Sequence, residues 1–314
     1  MRRYLARRAA ALAATLFFVS ALVFVVVRVL PGDPTDLILG VERDPQVAAR
    51  LRHSLGLDRP LTVQYADWLA GAARGDLGTS IQYDVPVGRL IVSRLPVTLP
   101  LAVMAAAFML AIALPVGVYA AARQRRGGDV LAMALSQLGL AVPSFWLGLL
   151  MILVFSVRLG WVRSGGFDGW SSGLWPGVRS LLLPALALGV LYAAILVRAT
   201  RSAVLEVMRE DYVRTARAKG LAEARVMALH TLRNALVPII TVAGVQLGQL
   251  MAGTIVLESV FALPGLGRLV LGAISARDLP LVQGVTLFIA SVIVTLNFAV
   301  DLAYVALDPR IRYE

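Results

Sequence analysis

Apolar residues gather into six charge-poor runs, at about 9–30, 97–122, 130–157, 181–198, 235–257 and 281–303. Each approaches or exceeds the roughly 20 helical residues that cross about 30 Å of hydrocarbon at about 1.5 Å per residue. The pattern predicts an all-α integral membrane protein with six transmembrane helices. Prolines fall inside four of them: Pro100 and Pro115 in the second, then Pro143, Pro184 and Pro238 in the next three. A proline removes one helical hydrogen bond and bends the axis. Pro143-Ser144, in the middle of the longest run, is the candidate break, read either as a packing kink or as a hinge.

Composition agrees with the pattern. The 314 residues are 59% hydrophobic and 16% charged, with a mean hydropathy of +0.78, whereas a soluble domain is about 25% charged. The first run is longer than a signal-peptide core of about 7–15 residues, and it ends at Arg28-Val-Leu-Pro31, so it is expected to be retained. Arg28 sits where its stem lies in lipid and its head reaches water.

The net charge of +11 is read as orientation rather than as nucleic-acid binding. With the N-terminus inside, segments 1–8, 123–129, 198–233 and 308–314 carry 4, 3, 8 and 2 Lys/Arg. The outer segments 31–96, 158–180 and 258–280 carry 7, 3 and 2, over roughly twice the length. Basic density is therefore higher inside, which puts both termini and residues 198–233 in the cytoplasm. The chain then divides into an N-terminal helix 1–30, an external insert 31–96, a core 97–307 and a tail 308–314. In the insert, Asp33-Pro34, Asp44-Pro45 and Gly75-Asp76 mark turns. Leu61–Leu69 reads as a short amphipathic helix carrying Tyr65 and Trp68 at the membrane interface.

Several chemistries are missing from the sequence. There is no G-x-x-x-x-G-K-[ST] and no H-E-x-x-H. There is no cysteine, and the two histidines, His53 and His230, are far apart. No metal, thiol or nucleotide site is expected in this chain. Within the runs, Asp301 is the one acid, expected to reach the interface or pair with an arginine. Among the polar residues within the runs, Ser136, Gln137, Ser144, Gln246, Gln249 and Asn297 are the candidates. They hydrogen-bond between helices or line a path for a solute; both readings stay open. Gln246 and Gln249 share a helix face by spacing, and Gly244 with Gly248 forms a G-x-x-x-G step that permits close helix approach.

The inner segment has the least ordinary composition. Arg209, Arg214, Arg217, Lys219, Arg225 and Arg233 surround a single glycine, Gly220. Residues 203–219 and 222–236 read as two helices broken at Gly220, which suits a C′ position with positive φ. Taken alone, this is a basic element on a membrane surface, and a lipid-anchoring scaffold protein would have one. An intramembrane enzyme is disfavoured, because the runs hold no catalytic constellation.

The wording of the segment is more specific. DYVRTARAKG (Asp211–Gly220) followed by RNALVP (Arg233–Pro238) resembles the EAA loop of ABC-importer permeases, in the form of the dipeptide/oligopeptide/nickel family. Further blocks follow the same family in order: Gly56–Ser80, Pro86–Ala102, LESVFALPGLGRL at Leu257–Leu269 and DLAYVALDPRIR at Asp301–Arg312. Arg214 and Thr215 replace the glutamate and first alanine of the general signature, as is usual in the peptide branch; Ala216 and Gly220 match it.

The resemblance implies a type I ABC importer permease fold in a bacterial inner membrane. Asp211, Tyr212, Arg214, Ala216, Arg217, Gly220 and Leu221 would form the coupling helix, seated on a cytoplasmic ATPase. It implies as partners a homologous second permease, two ABC ATPase subunits or domains holding ATP and Mg, an external peptide-binding protein and membrane lipid, and no nucleic acid. The substrate class it implies is di- and oligopeptides, with nickel and glutathione-like peptides as the alternatives.

Overall fold

The computed structural model describes residues 2–29, 45–54 and 58–307. Among these the chain is helical: α1 Arg2–Val29, α2 Pro45–Ser54, α3 Leu61–Ala73, α4 Val87–Ala122, α5 Gly127–Ala141, α6 Ser144–Arg158, α7 Leu174–Val207, α8 Asp211–Ala218, α9 Glu223–Val260, α10 Leu266–Ser275 and α11 Leu279–Leu307. The β-type pairing among them is one isolated bridge, Thr79 to Pro86. Asp33-Pro34, Asp44, the side chains of Arg28 and Asp301, and the tail 308–314 lie outside the described residues.

Among the described residues five helices are long and apolar enough to cross a membrane, and α5 with α6 makes a sixth crossing if the bent pair is one span. Most helices run past the apolar stretches that announce them. The expected span 97–122 begins ten residues earlier, at Val87, and the helix continues past Pro100 and Pro115. The expected span 181–198 is the middle of α7. Run length marks what contacts lipid; a helix continues for as long as its backbone stays helical.

The third run behaves differently. It is not one helix but two, bent by 105° at Val142-Pro143. Val142 is extended (φ −86°, ψ 124°), as the residue before a proline prefers, and Pro143 (φ −64°, ψ 143°) starts α6 without an N–H to offer α5. A bend of that size exceeds a packing kink.

The contacts divide the chain into two units: residues 1–97 with 264–295, and 98–263 with 296–314. In the first unit, the predicted helix around Leu61–Leu69 is present as α3. Its Tyr65 and Trp68 pack on Phe24 of α1, with ring centroids 5.4 and 6.0 Å away. The Tyr65 and Ser20 hydroxyls lie 2.8 Å apart. Gly75 adopts φ +85°, and the Gly78 N–H bonds Asp76 Oδ1 at 2.9 Å, forming the expected turn.

The outer stretch 258–280 is not a loop throughout, since it contains α10. Leu266, Leu269, Val270 and Ala273 are buried, at the i, i+3, i+4, i+7 spacing of one helix face. Asp278 then caps α11 by accepting the Leu281 N–H at 3.2 Å. The same buried carboxylate accepts the Ser80 hydroxyl and the Gln82 N–H, tying residues 80–82 to the start of α11.

In the second unit α7 is the central helix. Ala193, Leu196, Val197, Ala203 and Val204 pack with Met109, Ala113 and Ala121 of α4 and with Ala235, Ile239 and Ala243 of α9. Small residues predominate, as expected where helices approach closely without a hydrophobic drive from the lipid side. At Gly244 a side chain would run into Val300 of α11, so this glycine of the G-x-x-x-G step serves a close approach.

Candidate functional site

The basic inner segment folds as a short helix pinned between two long ones. α7 ends at Val207, and Met208, Arg209 and Glu210 close a turn through N–H bonds to Val204, Glu206 and Val207. Glu210 is extended (φ −67°, ψ 144°), so the expected continuous helix 203–219 is interrupted there. α8 restarts at Asp211, whose acid in the first turn suits the positive end of the helix dipole.

α8 ends on Gly220, at φ +79°. The Gly220 N–H bonds the Arg217 carbonyl at 2.9 Å, and the Leu221 N–H bonds the Ala216 carbonyl at 3.4 Å. These are the two bonds of a Schellman C-cap, in which the C′ residue is left-handed. No atom lies within 4 Å of where a Cβ would sit on Gly220, so backbone conformation, not crowding, asks for glycine.

Beneath α8, Val213 and Ala216 form a small apolar cluster with Val226 of α9, flanked by Val207 and Leu221. Val213 and Ala216 are three apart and share the inner face of α8. Across the turn, the Arg217 guanidinium holds Glu223 with two bonds, at 3.0 and 2.7 Å. That carboxylate raises the Arg217 pKa above the usual arginine range. Tyr212 Oη accepts from Asn234 Nδ2 at 3.0 Å, and the same amide donates to the His230 carbonyl. The return into α9 passes through a π-helical turn, Val226–Leu232, a geometry frequent at functional sites.

The seven residues named from the sequence thus divide by what they do in this chain. Ala216, Arg217, Gly220 and Leu221 hold α8 in place. Tyr212 does so through its hydroxyl, although its ring is exposed. Asp211 and Arg214 are exposed, joined to each other by one 3.2 Å bond. Together with Thr215, Ala218 and Lys219 they form the outward face. Sequence reasoning missed Val213, Glu223, Val226 and Asn234. Val213 was legible, since it lies three residues before Ala216; Glu223, six residues from Arg217 across a glycine turn, carries no periodic signal.

A second bond network supports the segment from the side. Asp129, in the first turn of α5, is buried and takes a forked pair from Arg201 of α7, at 2.5 Å to Nε and 2.7 Å to the terminal nitrogen. The Arg125 N–H adds a third bond at 2.8 Å, holding Arg125 at φ +61°. One carboxylate thereby fixes the α4–α5 turn and locks α5 to α7 six residues before α7 ends.

The six candidate polar residues of the membrane runs are scattered. Ser136 is buried and donates to the Ala132 carbonyl at 2.8 Å. Gln137 is exposed and accepts from Arg198 at 3.3 Å. Gln246 is buried, and its Oε1 has no hydrogen-bond partner. Gln249, three residues on, is exposed, so shared spacing does not give the two a shared environment. Ser144 is half-buried beside the Pro143 break, and Asn297 is exposed.

Comparison with known proteins accounts for nearly the whole chain. Residues 113–313 match the family model of the binding-protein-dependent transport system inner membrane component, and residues 1–102 match the N-terminal model of the same membrane component. The di/tripeptide transport system permease protein of Pseudomonas aeruginosa is 41% identical, with each chain fully covered. The glutathione transport system permease protein of an Escherichia coli strain is 42% identical, again with full coverage of both. In fold, the chain resembles an inward-facing crystal form of the MetNI methionine ABC transporter. The TM-score is 0.57 at 21% identity, covering 70% of this chain and 96% of that one. By the match over both its parts and by its full-length relatives, this chain belongs to the family of multi-pass membrane permease components of binding-protein-dependent transport systems.

Proposed function

We propose that this chain is one permease subunit of an ATP-driven importer of short peptides in a bacterial inner membrane, with both termini and the 198–233 segment on the cytoplasmic side. The observation that carries the coupling role is the construction of α8. Its inner face is fixed by an apolar cluster, a glycine cap and the Arg217–Glu223 pair, while Asp211, Arg214, Thr215, Ala218 and Lys219 face outward. A short rigid helix attached to α7 and α9 transmits a push on its outer face to both spans as one body. Arg214 and Lys219 offer charge to acidic groups of a docking subunit; Arg217 is occupied within the chain.

The push comes from two ATPase subunits or domains that hold ATP and Mg, because this chain has no phosphate loop of its own. The core 97–307 forms half of the path and a homologous permease the other half. Gln137, Gln249 and Asn297, exposed on the single chain, are available to that path, with Ser136, Ser144 and Gln246 supporting them. The insert 31–96 and the stretch around α10 face the external binding protein. The peptide substrate class is supported by the two relatives, whose names specify di/tripeptide and glutathione.

Co-purification tests this reading. Solubilised from its native membrane, the chain is expected to carry an ATP-hydrolysing subunit. Deletion of residues 209–221 is expected to release that subunit without removing the chain from the membrane. A membrane scaffold that uses the segment only to touch lipid would carry no ATPase in either form.

A further inference from the structure

The first unit contains a basic cavity that the coupling role does not use. It has a volume of about 500 Å³, and its walls include Tyr83, Arg94, Gly265, Arg268, Gly272 and Ser275. Two of its lining residues are arginines and none is acidic.

Arg94 is the unusual one. It lies in the N-terminal part of α4, three residues after Ile91 and three before Val97, both buried. This is the packed stripe of the helix, where a long cation is costly. Its Nε is shielded from solvent and has no hydrogen-bond partner. Among the described residues no acid pairs with Arg94. The buried carboxylate of this unit, Asp278, is taken up by Ser80, Gln82 and Leu281 instead. A half-buried guanidinium with one shielded, unsatisfied N–H is ready for an incoming carboxylate, because the planar fork donates to both oxygens at once.

The rim suits a protein rather than a free ion. α10 turns Leu271 and Ile274 outward, 41% and 50% exposed, while its opposite face is buried. Arg268 is exposed one turn before Leu271 and Ser275 one turn after it. Apolar side chains around a charged pocket exclude water from the pair formed inside it, the arrangement found at the energetic centres of protein interfaces.

We propose that this cavity receives an acidic side chain of the external binding protein, with Arg94 as the half-buried anchor and Arg268 as the rim charge that guides it in. The inference rests on the proposed function in one respect, that this end of α4 and α10 faces outward. It adds the residues and the chemistry of the contact.

The test uses the whole transporter in lipid nanodiscs, titrated with its fluorescently labelled external binding protein at low and high salt. Arg94→Gln is expected to weaken binding by about ten-fold or more, as loss of an interface anchor does. Arg94→Lys is expected to fall in between, since it keeps the charge and loses the fork. Arg268→Gln, at an exposed position, is expected to flatten the salt dependence with a smaller loss of affinity, read on particles matched for assembled complex.

Unchanged affinity in both glutamine variants would overturn the proposal. So would unchanged affinity combined with a raised KM for peptide uptake, which would place the carboxylate on the peptide. If Arg94→Gln does not assemble, the Arg268→Gln salt series decides alone. ATPase content is measured in the same particles. An importer with its ATPase bound and unaltered docking sinks only this inference, whereas a chain without an ATPase sinks the function on which it rests.

Discussion

Replacing Gly220 with arginine is expected to abolish peptide uptake while the chain still inserts and assembles. The reason lies in the backbone. Gly220 sits at φ +79° with open space around it, so a side chain is refused by conformation rather than by neighbours. A left-handed residue other than glycine costs roughly 1–2 kcal/mol. That is comparable with what a Schellman cap and a three-residue apolar cluster contribute to holding α8. Relieving the strain means losing the Leu221 N–H bond to Ala216 and moving Glu223 away from Arg217. The core around α7 does not share these residues, so the damage is expected to stay local.

Two companion substitutions separate backbone from surface. Asparagine tolerates the left-handed region, so Gly220→Asn is expected to retain most uptake. Gly220→Ala is expected to lose a substantial part of it, with no bulk or charge added to the outer face. Uptake of a radiolabelled dipeptide, normalised to assembled complex, reads all three. Equal loss in the asparagine and arginine variants would show that the surface matters and the cap does not.

The second large effect is expected at Asp129. Asp129→Ala leaves the Arg201 guanidinium, only 22% exposed, without its carboxylate. It also frees the Arg125 N–H. Breaking a buried pair from one side costs about 3–5 kcal/mol, and the partial exposure of Arg201 argues for about 2–4 here. A loss of that size is expected to lower the melting temperature of the purified complex by several degrees or more.

Removing both charges is a different experiment. Asp129→Ala combined with Arg201→Met replaces the pair by apolar groups, and most of the lost stability is expected to return. Uptake is expected to return less completely, because the fork also sets the position of α5 against α7 near the start of the coupling segment. A double variant as unstable as Asp129→Ala alone would show that the cost lies in the α4–α5 turn and not in the stranded arginine.

What could be read in the sequence follows from the range of the interaction involved. Spans announce themselves through run length, and Gly220 through its position after a helical stretch, because both are local. The break at Pro143 was visible as a proline in a long run; its 105° size was not, since it depends on how α5 and α6 each pack. α10 was missed although its 266, 269, 270, 273 stripe is regular, because the Pro and Gly residues of LPGLGRL read as loop. Asp129 and Arg201 are 72 positions apart, and Arg217 meets Glu223 only because Gly220 turns the chain. Such pairs have no signature until the helices are in place. Gln246 and Gln249 show the converse: local spacing put them on one face, and packing buried only the first.

The proposed coupling role requires α8 to be the surface that meets an ATPase. The chain has no cysteine, so one introduced thiol reports from one place. Ala218→Cys lies on the outward side of α8 and Ile274→Cys on the exposed side of α10. With benzophenone maleimide attached to each in turn and the native complex irradiated, the Ala218 probe is expected to link to the ATPase subunit and the Ile274 probe not to. An Ala218 probe that labels only lipid, in a complex that still contains the ATPase, would contradict the assignment.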